Sequence, residues 1–242
     1  MRLQTYLTEK SYFEEEIDLI WQTLLKDCKL FLVELNKANT PNAKFFYRGY
    51  GGHMNGIIQK KKTRKDRMPT DTPEAVHTLL DRSFKKKFGW RVRSQGVFTT
   101  SDKIYAGGYG LDVLFFPIGK YKYVYSPEVR DLYAHIGGED LSYIEVILDG
   151  YSDTAEWEYR YRDSYEDEEP DNISFEEYAE MKEEEEMDVW LDSVDKTLKT
   201  YKSTDMSKAI KSGNETIFQC SQYYIVDTSY KDALYHKMRT EL

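Results

Sequence analysis

Residues 10–37, KSYFEEEIDLIWQTLLKDCKLFLVELNK, set Phe13, Ile17, Ile20, Leu24, Leu25, Cys28, Phe31 and Leu32 at intervals dominated by three and four. That spacing draws one apolar stripe along a long amphipathic helix, which needs a partner layer to bury it. After the breaker NKANTPN at 36–42 the chain offers mostly short apolar runs. AKFFYRG (43–49), WRVRSQGVFTTSD (90–102), DVLFFPIG and YKYVYSPEV (112–129, joined by a Gly turn), LSYIEVILDG (141–150) and WEYRYRD read as strands. NETIFQC and YYIVD read as a closing hairpin. Further helices are expected at 70–89, with Thr72 as N-cap before Pro73 and Gly89 as stop, at 102–110 behind Ser101 or Asp102, and at 189–201. Helices early and short strands later point to an α+β fold with mixed or antiparallel sheets, not to a doubly wound one.

The 242 residues are read as a single domain, with an N-terminal peptide and helix at 1–42 and an acidic insertion at 151–200. Hydrophobic content of 40% suffices for a core, and 21 tyrosines add both volume and stacking surface. No apolar run reaches bilayer length and no secretory signal opens the chain, so a soluble, cytoplasmic protein without a membrane partner is expected. Two cysteines fit a reducing compartment, and they and the four histidines lack metal-ligand spacing. The charge is segregated. Residues 44–93 carry 14 Lys/Arg against 4 Asp/Glu (+10), and residues 139–195 carry 3 against 23 (−20). The bland explanation is two solvated faces; the functional one is a basic surface for an anionic ligand beside an acidic flap.

Three stretches bear on chemistry. FFYRGYGG (45–52) ends a strand in Arg-Gly, where a guanidinium and bare backbone can approach a phosphate. QGVFTTSDKIYAGGYG (95–110) hands hydroxyls over to a helix start. SGNETIFQCSQYY (212–224) sets Glu215 at the mouth of a strand. Singly, each reads as well as a turn arginine, a helix cap and a solvated edge acid.

In this order the three resemble the ADP-ribosyltransferase superfamily, on its toxin-like Arg–Ser/Thr–Glu branch, over roughly residues 43–228. The matching residues are Tyr47-Arg48-Gly49, Phe98-Thr99-Thr100-Ser101 and Asn214-Glu215-Thr216-Ile217-Phe218, closed by Tyr223-Tyr224-Ile225-Val226. The resemblance implies a core of two small mixed or antiparallel sheets with N-terminal helices. It implies NAD as co-substrate and transfer of ADP-ribose to a macromolecular acceptor, a host protein or a nucleic acid. Glu215 takes the catalytic position, Thr99 holds it by a hydrogen bond, and Arg48 pairs with the pyrophosphate. Gly49, Phe98, Thr100, Ser101, Tyr105 and Tyr109 complete the implied NAD site, the aromatic residues by stacking.

Two features depart from the pattern. Gly213 stands where arginine-modifying members usually carry Glu or Gln, which puts an arginine acceptor in doubt. Thr99-Thr100-Ser101 replaces the strict Ser-Thr-Ser. Glu145, in YIEVILDG, is a rival catalytic acid, closer in sequence to Thr99. Glu215 is preferred because STDMSKAIKSGN before it looks like the family's target-recognising helix-loop, the hairpin after it closes with the aromatic-x-Val pattern, and the acidic insertion accounts for the extra length. MRLQTYLTE resembles the capsid-targeting peptides of tailed-phage internal proteins, which implies packaging in a virion and delivery to a host; it reads equally as an ordinary chain start. The alternatives are a non-catalytic virion protein that keeps the fold, and a nucleic-acid-binding protein using the basic region 60–93.

Overall fold

A computed structural model describes residues 2–38, 44–68, 72–137, 144, 147, 159 and 174–242. The chain forms two compact units, one of Met1–Arg67, Ser94–Arg130 and Tyr201–Leu242, the other of Met68–Arg93 and Asp131–Thr200. In chain order the elements are α1 (Arg2–Ala38), β1 (Tyr47–Tyr50), β2 (Ile58–Lys62), α2 (Glu74–Phe88), α3 (Val92–Gln95), β3 (Val97–Thr100), α4 (Lys103–Gly107), β4 (Leu111–Pro117) and β5 (Lys122–Tyr125). There follow α5 (Leu132–His135), α6 (Phe175–Thr200), α7 (Met206–Ser212), β6 (Glu215–Gln219), β7 (Gln222–Asp227) and, after a 3-10 turn, α8 (Lys231–Glu241).

The first unit is built on one seven-stranded sheet in the order β2-β7-β4-β1-β3-β6-β5, antiparallel at every pairing. The expected closing hairpin is absent: β6 and β7 follow each other across Cys220-Ser221 yet are four strand steps apart in the sheet. Four steps span about 19 Å on a flat sheet, whereas three residues of chain reach at most about 11 Å. The sheet must therefore fold over on itself. The fold line lies between β1 and β3, joined by the single register pair Tyr47↔Thr100. In place of the two small sheets that the resemblance implies, the unit holds one continuous sheet. β4 and β5, also read as neighbours, belong to opposite halves.

Aromatic side chains fill the fold. Phe218 of β6 lies 5.1 Å from Phe115 of β4 and 5.0 Å from Phe46, across the two halves. Phe31 of α1 closes the cluster with edge contacts to Phe115, Phe116, Tyr121 and Phe218. The apolar stripe read from sequence is therefore the helix face that covers this core: Ile20, Leu24, Cys28, Phe31 and Leu32 are all buried. α1 also holds α8, a helix the sequence reading missed, through Lys237–Asp18 (2.8 Å), Trp21–Glu241 (2.6 Å) and the Phe13–Tyr230 stack.

In the second unit α2 ends at Gly89 in the left-handed region (φ 80°), as expected. Thr72 does not cap it; its hydroxyl accepts from the buried Arg93 at 2.8 Å. The acid-rich stretch from 175 onward is the helix α6, which buries Tyr178, Trp190, Val194 and Leu198. Of the strand expected at 141–150, Ile144 and Ile147 are helical, as is Tyr159 of the next one; Glu145 lies outside the described residues.

Burial pushes the Tyr47 and Tyr224 phenols up to about 12, with Asp112 and Asp27, respectively, adding to it. Tyr121, Tyr123, Tyr125 and Tyr230 are raised for the same first cause. The folded state therefore keeps these groups neutral after the unfolded chain has begun to ionise. Their contribution is complete below pH about 10 and is lost as pH rises toward about 12 and beyond. Stability by urea titration is expected to fall steeply in that window, alongside the rise of tyrosinate absorbance; constant stability across it would contradict the burial of these rings.

Candidate active site

The three motifs, at residues 48, 99–100 and 215, fall on the neighbouring strands β1, β3 and β6. Tyr47 pairs with Thr100, and Thr100 with Glu215, so one row crosses all three strands, and Arg48, one residue along from Tyr47, projects from the opposite face of the sheet to Glu215. The hydroxyl motif works as a ladder into the segment that carries Glu215. Thr99 donates to the Thr216 carbonyl (2.7 Å), Thr100 to that of Gly213 (2.6 Å) and Ser101 to that of Ile210 (2.5 Å). Thr99 thus spends its proton on the backbone beside Glu215 and not on the Glu215 carboxylate. Directly opposed residues share a face and successive ones alternate, so Thr100 is the cross-strand neighbour of Glu215. Thr99 and Thr100 are buried, and their hydroxyls tie β3 to the backbone on either side of Glu215.

Gly213 ends α7 at φ 73°, in the region where glycine is unstrained. This accounts for the missing acid two positions before Glu215: a side chain there would strain the turn whose carbonyl Thr100 binds. From the other side Glu215 donates its backbone N–H to the Arg130 carbonyl (3.1 Å), and Asn214 reaches the Ser126 carbonyl (3.0 Å). Glu215 is half-buried, with Oε1 shielded from solvent.

Arg130 joins this strand mouth to the aromatic turn. Its guanidinium binds Asp102 at 3.0 Å and lies 4.8 Å from the centre of the Tyr105 ring. Asp102 caps α4 by accepting from Ile104 and Tyr105 N–H, so of the two expected caps it is Asp102 that acts. Tyr105 and Tyr109 meet edge to face at 5.5 Å, with their hydroxyls 3.1 Å apart. The sequence reading did not single out Arg130; SPEVRD carries no spacing that marks it.

Gly49 is where this turn meets β1. A Cβ at Gly49 would stand 2.5 Å from Tyr109 Cβ and 2.6 Å from the Ala106 carbonyl oxygen. The glycine after Arg48 is needed by the α4 turn packed on it. Gly49→Ala is expected to cost about 1–3 kcal/mol by overpacking, lowering Tm by roughly 2–12 °C. Gly51→Ala, where nothing lies within 4 Å, should stay within about 0.5 kcal/mol. Equal Tm for the two variants would refute this contact.

Arg48 itself lies over the Tyr223 ring, 5.6 Å from its centre, and its Nε is buried with no hydrogen bond among the described residues. Phe98 is covered by Arg67, whose guanidinium carbon is 4.1 Å from the ring centre, so that face is already occupied. Tyr105 carries the Arg130 guanidinium in the same way, and the exposed Tyr109 meets the Tyr105 ring edge to face. Both cysteines are free and buried; burial raises Cys28 to about 12 and Cys220 to about 11, which keeps them protonated. Among the described residues no group of His, Cys, Asp and Glu could hold a metal ion, and no helix is long and apolar enough to cross a membrane. No protein-family model matches the chain, and neither a curated protein nor a solved structure matches it.

Proposed function

We propose that this chain is a mono-ADP-ribosyltransferase that transfers ADP-ribose from NAD to a macromolecular acceptor and releases nicotinamide. One observation carries the reading. Residues 48, 99–100 and 215, from the three family motifs, lie on three consecutive strands of one sheet. Chance resemblance of three short motifs gives no reason for that adjacency.

The chemistry asks for few groups. The bond between the ribose C1′ and the nicotinamide nitrogen breaks, and its electron pair leaves with nicotinamide. The sugar acquires oxocarbenium character, which a nearby carboxylate stabilises as in glycoside hydrolysis. Glu215 has this role, orienting the ribose 2′-hydroxyl. Arg48 holds the pyrophosphate; its buried, unbonded Nε–H suits an anionic oxygen. Tyr105 and Tyr109 supply the aromatic wall. An acceptor nucleophile then attacks C1′ and gives up its proton. Thr99, Thr100 and Ser101 act through the backbone as positioning residues.

The test is incubation of the protein with NAD, following nicotinamide by chromatography and binding by thermal shift. Release of nicotinamide together with a rise in Tm is the expected result. Neither release nor a shift at millimolar NAD would leave the alternative, a non-catalytic protein that retains the fold.

A further inference from the structure

We propose that the β2 edge and the turn after it, Lys60 to Lys65, bind the phosphate backbone of nucleic acid. β2 is the outermost strand and pairs on one side only, with β7. Six of the eight residues 60–67, KKKTRKDR, are Lys or Arg, against one acid. Lys60, Lys62, Arg64 and Lys65 are exposed, and none forms an ion pair among the described residues. A lysine on an edge strand can serve merely to block edge-to-edge pairing. One charge does that. Here the cations continue beyond the strand into a turn, where no edge is left to block.

The surface is also built to hold its shape. Lys60 and Lys62 project from the same side of an extended strand, about 6.6 Å apart along it. That resembles the step between successive phosphates on an extended nucleic-acid strand. The turn is pinned at both ends, by Thr63 N–H to the Ser221 carbonyl and Arg67 N–H to the Ser94 carbonyl, each at 3.1 Å. Lys61 is drawn inward instead, its ammonium on the Tyr50 ring and hydroxyl (2.7 Å). A rigid row of unneutralised cations without carboxylates between them favours a polyanion bound through phosphates, without base readout. The inference is independent of the transferase reading.

The test measures fluorescence anisotropy of a labelled single-stranded oligonucleotide over a salt series. It compares the wild type with the quadruple variant Lys60→Gln, Lys62→Gln, Arg64→Gln and Lys65→Gln. The wild type is expected to bind with affinity falling steeply as salt rises. The quadruple variant should bind at least about ten-fold more weakly at low salt, with the salt slope reduced by about 2.8, four contacts at roughly 0.7 each. A Lys60→Arg, Lys62→Arg variant should bind as the wild type does, and a thermal melt checks that the quadruple variant is folded. Glu215→Gln should keep full binding, so failure of the transferase reading leaves this result intact. No binding by the wild type, unchanged binding by the folded quadruple variant, or equal affinity for poly-glutamate would each overturn the proposal.

Discussion

Glu215→Gln is expected to slow nicotinamide release from NAD by about 10²–10³-fold, the cost of removing one preorganised electrostatic group, with Tm nearly unchanged. Three hydrogen bonds hold the backbone at this strand mouth. The Glu215 N–H goes to Arg130, the Gly213 carbonyl accepts from Thr100 and the Thr216 carbonyl from Thr99. Glutamine keeps all three and the side-chain volume while removing the charge. Thr100→Ala provides the contrast. It deletes two hydrogen bonds, to the Gly213 carbonyl and from the Asp102 N–H, worth about 1 kcal/mol each, and should lower stability and rate together by smaller factors. Steady-state rates with NAD, alongside melts of all three proteins, separate the two roles. If Glu215→Gln turns over NAD at the wild-type rate, Glu215 is not the catalytic acid; a dead Glu145→Gln would then identify its rival.

Sequence alone located most strands and little of how they pair. The apolar runs at 111–117, 122–125 and 215–219 are strands because each is buried over most of its length. Which strand lies beside which is a matter of distant contacts, and no run carries that information. One local signal was there. A two-residue hairpin needs residues at ease with positive φ, such as Asn-Gly, and Cys220-Ser221 is no such pair. β2 was read only as charge, since IQKKK alternates half-buried with exposed residues and is held by β7. α8 escaped because KDALYHKMRTE buries only Leu234 and Met238. Of the candidate site, the motif residues could be named from sequence, but not their hydrogen-bond partners. The hydroxyls of 99–101 donate to the carbonyls of Thr216, Gly213 and Ile210, a set of partners fixed by register. Arg130 was invisible because its importance lies in meeting Asp102 and Tyr105 across the fold.

Phe218→Ala is expected to be the most damaging single substitution in the first unit, because the sheet is folded around this ring. Phe218 is fully buried and meets five aromatic rings, Phe31, Phe46, Phe115, Tyr121 and Tyr123, at centroid distances of 5.0 to 6.0 Å. Those rings come from both halves of the sheet and from α1, so they cannot collapse into the space together without unfolding the bend. The cost should reach about 3–5 kcal/mol, or roughly 6–20 °C in Tm for a chain of this length. Phe218→Leu keeps most of the volume and should lose less than about 1.5 kcal/mol. Phe13→Ala, which removes a ring 41% exposed and stacked on Tyr230, should cost far less than Phe218→Ala. The coupling to function follows from the chain. Phe218 is three residues from Glu215 on the same strand, so a variant that stays folded but loosens the bend should lose NAD turnover before it loses helix content. Differential scanning calorimetry together with turnover in the same samples checks this, and a Tm for Phe218→Ala within 2 °C of wild type would mean that the sheet does not close around this ring.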